Sequence, residues 1–169
     1  SIISDFEGKL SAFAVMIAGS TTRIESLEAK LNDLENRSRR NNLVFEGIEE
    51  EPNETREITE SKLQSILSSK MQIETTNETI ERAHRIGKNV SCSQPRTIIA
   101  KFSNFKTCSG IMKEKKRFVG SKIYVREDFS NKIMAKRRVL LPKIREARQN
   151  GLTVYIRYDK LVTRSKVNN

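Results

Sequence analysis

The feature that most constrains this 169-residue chain is a narrow apolar seam at its start. Taking Ile24 as heptad position a puts Ile3, Leu10, Ile17, Ile24 and Leu31 at a, and Phe6, Phe13, Ser20, Leu27 and Leu34 at d. All but Ser20 are apolar. A seam repeating at about 3.5 residues is too narrow for an ordinary surface helix and predicts a coiled coil over residues 1–38. The competing reading is a single amphipathic helix packed on its own domain.

Arg23 falls at g and Glu28 at e, flanking the seam where they can pair with neighbouring helices. The string Arg23-Ile24-Glu25-Ser26-Leu27-Glu28 has the form R-h-x-x-h-E, with h apolar, of short parallel trimeric coiled coils. Ile17, Arg23, Ile24, Leu27, Glu28, Leu31 and Leu34 are therefore the expected oligomerisation residues of a homotrimer. Gly19-Ser20-Thr21-Thr22 is expected to be a soft spot or to hold a bound ion. The repeat fades after Leu34, and the polar run Glu35–Asn42 is the expected junction.

Charge then divides the chain. The formal net charge is +11, yet residues 1–78 carry 9 basic and 15 acidic side chains, and residues 79–169 carry 23 basic and 6 acidic ones. Segregation on this scale favours a dedicated surface for a polyanion in the second half. Cys92, Cys108 and the single histidine, His84, cannot supply four ligands, so a structural zinc site within one chain is excluded. Two unpatterned cysteines fit free thiols in a reducing compartment, cytosol or nucleus. No apolar run approaches the roughly 20 residues that span a bilayer, and no cofactor motif is present.

The middle segment predicts a β-α-β-β-α-β order. Leu43–Ile48 reads as a strand and Glu49–Glu54 as a solvated acidic turn; a helix over about Thr55–Met71 would bury Ile58, Leu63, Ile66, Leu67 and Met71. Thr79–Ile86 and Arg96–Phe102 are strands joined by a polar loop over Gly87–Pro95. A helix capped by Ser103 or Asn104 would run to about Arg117, burying Phe105, Ile111 and Met112, before a last strand Lys122–Arg126. That order is the split-βαβ layer used by RNA-recognition modules, although the aromatic strand pair that stacks bases in such modules is absent. The fold class is thus α+β, with an RRM-like domain at 39–127. Phosphate contacts should dominate binding, through Asn42, Arg82, Arg85, Arg96, Lys101 and Arg126, with Lys88 nearby.

The basic C-terminal region, 128–169, begins with Ser130 as the expected cap of a helix Asn131–Asn150. Pro142 is expected to kink or divide that helix, and Gly151 to end it. Seven basic residues, Lys136, Arg137 and Arg138 among them, face one acid, Glu146. A strand Thr153–Tyr158 and a return Leu161–Arg164 complete a helix-plus-hairpin.

Taken together, Asn36–Ile48, Ile80–Gly87, Pro95–Phe102 and Lys122–Ser130, behind a trimer-like coiled coil, resemble the first-open-reading-frame RNA-binding proteins of LINE-type retrotransposons. The resemblance implies a homotrimer that coats element RNA in cytoplasmic ribonucleoprotein particles and acts as a nucleic-acid chaperone. It gives RNA contact to Arg96 and to Lys136, Arg137 and Arg138. The family's C-terminal domain continues beyond the point where this chain stops, which implies an incomplete third region. Single-stranded RNA is the expected partner, single-stranded DNA a second, and no membrane or cofactor is called for. The alternative is a coiled-coil assembly adaptor with no required nucleic-acid binding. An enzyme is the poorest reading, for want of a nucleophile motif, phosphate loop or acidic metal cluster.

Overall fold

The computed structural model describes residues 2–73, 75–76, 78–87 and 94–164, so Lys88 and Cys92 lie outside the described residues. The chain is mixed α+β and divides into two compact units, one at 38–129 and the other formed by 1–37 with 130–169.

In the 38–129 unit the elements follow as β1 (Asn42–Glu46), α2 (Arg56–Met71), β2 (Ile80–Ile86), β3 (Thr97–Phe102), α3 (Phe105–Glu114), a 3-10 turn (Lys115–Phe118) and β4 (Tyr124–Glu127), after the helix α1 (Ile2–Arg39). The strands lie in the order β2-β3-β1-β4 with every neighbouring pair antiparallel. Alternation along each strand decides the faces. Leu43 and Phe45 of β1, Ala83 of β2, and Ile98, Ala100 and Phe102 of β3 share one core with Leu63, Leu67 and Met71 of α2 and with Cys108, Ile111 and Phe118.

Two expected core residues are replaced. Ile58 and Phe105 are exposed, and Thr59 and Cys108 are buried in α2 and α3. Thr59 survives burial because its hydroxyl donates to Glu54 Oε1 at 2.7 Å. Cys108 donates to the Asn41 carbonyl at 3.2 Å, and burial pushes its thiol up to about 11. Gly47, at φ +80°, turns the chain out of β1 where a Cβ would sit 1.9 Å from the Lys122 carbonyl oxygen. No side chain fits there.

The acidic turn, read from sequence as solvated, is the most tightly bonded part of this unit. Glu54 is fully buried and accepts from Arg85 Nε at 2.9 Å, Lys62 Nζ at 2.8 Å, the Thr59 hydroxyl and the Glu51 N–H. Burial by itself would push the carboxyl up, but the bonds from Arg85, Lys62, Thr59 and Glu51 outweigh it and hold Glu54 well below the ordinary value of 4.5. At the unit's two ends, Arg39 and Asn42 both donate to Asp128 Oδ2 at 3.0 Å.

In the other unit α1 runs unbroken through Gly19–Thr22, where the Thr21 and Thr22 hydroxyls donate to the Ile17 and Ala18 carbonyls. It also continues through the expected junction as far as Arg39. Asp33 pairs with Arg37 one turn on, and Asn36 gains partners that reward helical geometry. Asn36 accepts from the Ser130 N–H at 3.0 Å and donates to Ser130 Oγ at 2.9 Å, while Ser130 Oγ donates to Asn32 Oδ1 at 2.7 Å. Ser130 caps α4 (Asn131–Gln149), which passes through Pro142 undivided. The hairpin β5 (Thr153–Arg157) and β6 (Lys160–Arg164) follows. Ile133 and Ile144 of α4 and Val154 of β5 are the buried apolar residues of this unit among the described residues.

Removing Glu54 leaves Arg85 buried without its counter-charge, so Glu54→Ala should lower the stability of the 38–129 unit by about 3–5 kcal/mol in urea unfolding. The folded-state value lies below the unfolded one, so the stabilisation is complete above pH 4.5 and is lost as pH falls below it. Acid titration of the parent should therefore show a steeper loss below that value than titration of the variant.

Candidate nucleic-acid interface

The face of the four-stranded sheet opposite the α2–α3 core is defined by register. Asn42 and Val44 of β1 pair with Lys101 and Ile99 on β3, and Val44 and Glu46 with Arg126 and Tyr124 on β4. On β2, Arg82 pairs with Lys101, His84 with Ile99 and Ile86 with Thr97. The centre of this face is therefore aliphatic, with Val44 buried and Ile99 half-buried, and only its rim, with Arg82, Lys101, Arg126, His84 and Tyr124, is open to a ligand. Burial and the nearby Arg56 and Arg82 charges push the His84 imidazole down, so it is neutral at physiological pH.

The residues expected to clamp phosphate, five cations and the neutral Asn42, fall into three conditions. Arg82 is exposed with no ion pair among the described residues. Lys101 and Arg126 are half-exposed and paired across strands, with Glu81 at 2.5 Å and Glu46 at 2.9 Å. Exposed pairs of this kind are worth a few tenths of a kcal/mol to about 1 kcal/mol, which a phosphate can outbid.

Three others are spent on the fold. Arg85 is 3% exposed and uses all five of its N–H groups: Nε and Nη2 on Glu54, Nη1 on the Ile48 and Arg96 carbonyls, and Nη2 also on the Glu49 carbonyl. It has no donor left for a phosphate, so the expectation from sequence does not fit its surroundings. Asn42 gives its amide to Asp128. Arg96 is clasped by Glu50, which accepts from its Nε at 2.7 Å and from its backbone N–H at 2.9 Å. The Arg96 bond holds the Glu50 carboxyl below its ordinary value.

In the other unit the basic face of α4 is likewise sorted. Lys136 reaches Asp159 at 3.1 Å, and Arg137 Nη1 donates to the Tyr158 carbonyl, so both brace the hairpin turn, where Tyr158 sits at φ 57°. Arg138 is exposed, as are Lys132, Lys143 and Arg145, and none of the four has an ion pair among the described residues. The last three, with Arg157, Lys160 and Arg164 on the hairpin, were not singled out by motif. What distinguishes them is that they are exposed and make no ion pair among the described residues, even where Glu146 or Asp159 is a near neighbour in sequence.

The expected oligomerisation residues all lie on α1. The nine apolar seam residues, Ile17, Ile24, Leu27, Leu31 and Leu34 among them, are each 56–70% exposed in the single chain. Arg23 and Glu28 are exposed as well. Among the described residues no helix is long and apolar enough to cross a membrane, and no group of three His, Cys, Asp or Glu side chains is placed to hold a metal ion. No protein-family model matches the chain, and no curated protein sequence matches it significantly.

The sorting of these arginines has a direct test. Arg85→Met should cost about 3 kcal/mol or more in unfolding measurements, whereas Arg138→Met should change stability by less than about 0.5 kcal/mol.

Proposed function

We propose that this chain binds single-stranded RNA, and secondarily single-stranded DNA, with little sequence preference. In this reading it assembles as a homotrimer through α1 and coats the RNA of a LINE-type retrotransposon as a nucleic-acid chaperone. The observation that carries the proposal is the sorting of charge. After the fold has taken the cations it needs, Arg82, Lys132, Arg138, Lys143 and Arg145 stand exposed without acidic partners among the described residues. Exposed charges of one sign gathered along a single helix, as Lys132, Arg138, Lys143 and Arg145 are on α4, repel through the shared field, and a polyanion relieves that repulsion.

Two further observations support it. The β-α-β-β-α-β order in a four-stranded antiparallel sheet is compatible with an RRM-like module, a class that uses one sheet face for RNA. The apolar seam of α1 stands exposed in the single chain, and a trimer would bury its Ile and Leu side chains at about 1.5–3 kcal/mol each. Three linked copies of a weak basic patch then bind one strand with a high effective concentration. The same seam is also what favours the second reading, an assembly adaptor, in which the charge has no ligand.

Affinity for a labelled single strand of about 30 nucleotides should fall steeply with salt, and Arg138→Ala should reduce the salt slope by about one unit for every sequence tested. The double variant Ile24→Asp, Leu27→Asp should be monomeric by light scattering and bind at least about a hundredfold more weakly. A chain that oligomerises yet ignores RNA at low salt would leave the adaptor reading standing. Charge reversal belongs at Arg138 and Arg145 rather than Arg137, whose guanidinium also holds the hairpin turn.

A further inference from the structure

The 38–129 unit has a groove that none of the expected site residues lines. It encloses about 410 Å³ between the 3-10 turn and β4, and its walls include Lys115, Lys116, Phe118, Val119, Ile123 and Tyr124. Two of the apolar walls are left outside: Val119 is 85% exposed and Tyr124 68%. Lys115 and Lys116 are exposed and have no ion pair among the described residues, because the one acid of their run, Glu114, is bonded to Arg117 at 2.7 Å. Among the described residues no carboxylate lines the groove. The neighbouring cavity of about 550 Å³ is the opposite case, since Glu49, Glu50 and Glu51 line it and would repel a phosphate.

An aromatic ring beside aliphatic walls suits the flat face of a nucleobase, and two unpaired ammonium groups suit the phosphates on either side of it. β4 has a single neighbour in the sheet, β1, so its other edge turns backbone N–H and C=O groups outward, where a base edge can bond them. An extended acidic peptide could also add to that edge. β4 is only four residues long, however, and gives such a peptide few ladder bonds.

We infer that this groove receives one unpaired nucleotide of a bound single strand, its base against Tyr124 and its flanking phosphates on Lys115 and Lys116. The inference rests on the single-strand-binding reading and adds to it a base-holding site where the other contacts hold only backbone. It accounts for binding by a sheet whose central positions, Val44 and Ile99, offer no ring.

The test uses the full chain and an RNA oligonucleotide carrying 4-thiouridine for photo-crosslinking, beside the same oligonucleotide with abasic positions. A crosslink within residues 115–125 is expected. Tyr124→Ala should weaken the base-bearing strand roughly tenfold, leave the abasic strand unchanged, and be rescued by Tyr124→Phe. The double variant Lys115→Ala, Lys116→Ala should lower the salt slope by about two units. Parent-like binding by all three variants with crosslinks elsewhere overturns the groove and leaves RNA binding intact, whereas no RNA binding by the parent overturns both. If the variants keep RNA but lose a Glu-rich, Phe-containing peptide that the parent binds, the groove is a peptide site and the inference falls.

Discussion

The buried pair of Glu54 and Arg85 is the interaction on which the 38–129 unit depends. It ties the turn after β1, the start of α2 and strand β2 to one point, and the remaining N–H groups of Arg85 reach the carbonyls of Ile48, Glu49 and Arg96. A buried charge is tolerated only when paired and fully hydrogen-bonded, and here both partners are. The pair therefore fixes where the β2 edge lies. Arg82 and His84, on the opposite face of the same strand, inherit their positions from it.

That interaction also explains what the sequence could and could not disclose. Element order was legible because apolar spacing reports backbone period, and the strands and helices begin and end within a few residues of their expected limits. The coarse α+β class follows from the same signal. Which cations remain available was not legible. Arg85 and Arg82 stand three residues apart in one basic string, yet the acid that neutralises Arg85 lies 31 residues away. Arg96 is matched in the same way by Glu50, 46 residues away. Long-range pairing is invisible to composition, so a list of basic residues mixes those that hold the fold with those that face solvent.

Small polar and sulfur-bearing residues misled in the other direction. Thr59 and Cys108 take core positions that spacing awarded to Ile58 and Phe105, since each finds a hydrogen-bond acceptor within reach. The polar run after Leu34 reads as a junction because it ends the heptad pattern. It ends only the seam. The helix continues because Asn32 and Asn36 exchange a partner helix for the cap of α4.

The 38–129 unit is inserted between the two halves of the other unit, and Arg39 and Asp128 clasp near its ends. In an unfolded chain, bringing Asn36 to Ser130 closes a loop of 94 residues, an entropic cost on the order of 4 kcal/mol from the length term alone. Once the insert has folded and its clasp has shut, only a handful of free residues separate the two. An insert that folds first thus removes most of the loop-closure cost of the α4 cap, which makes the cap easy to form only after the insert has closed.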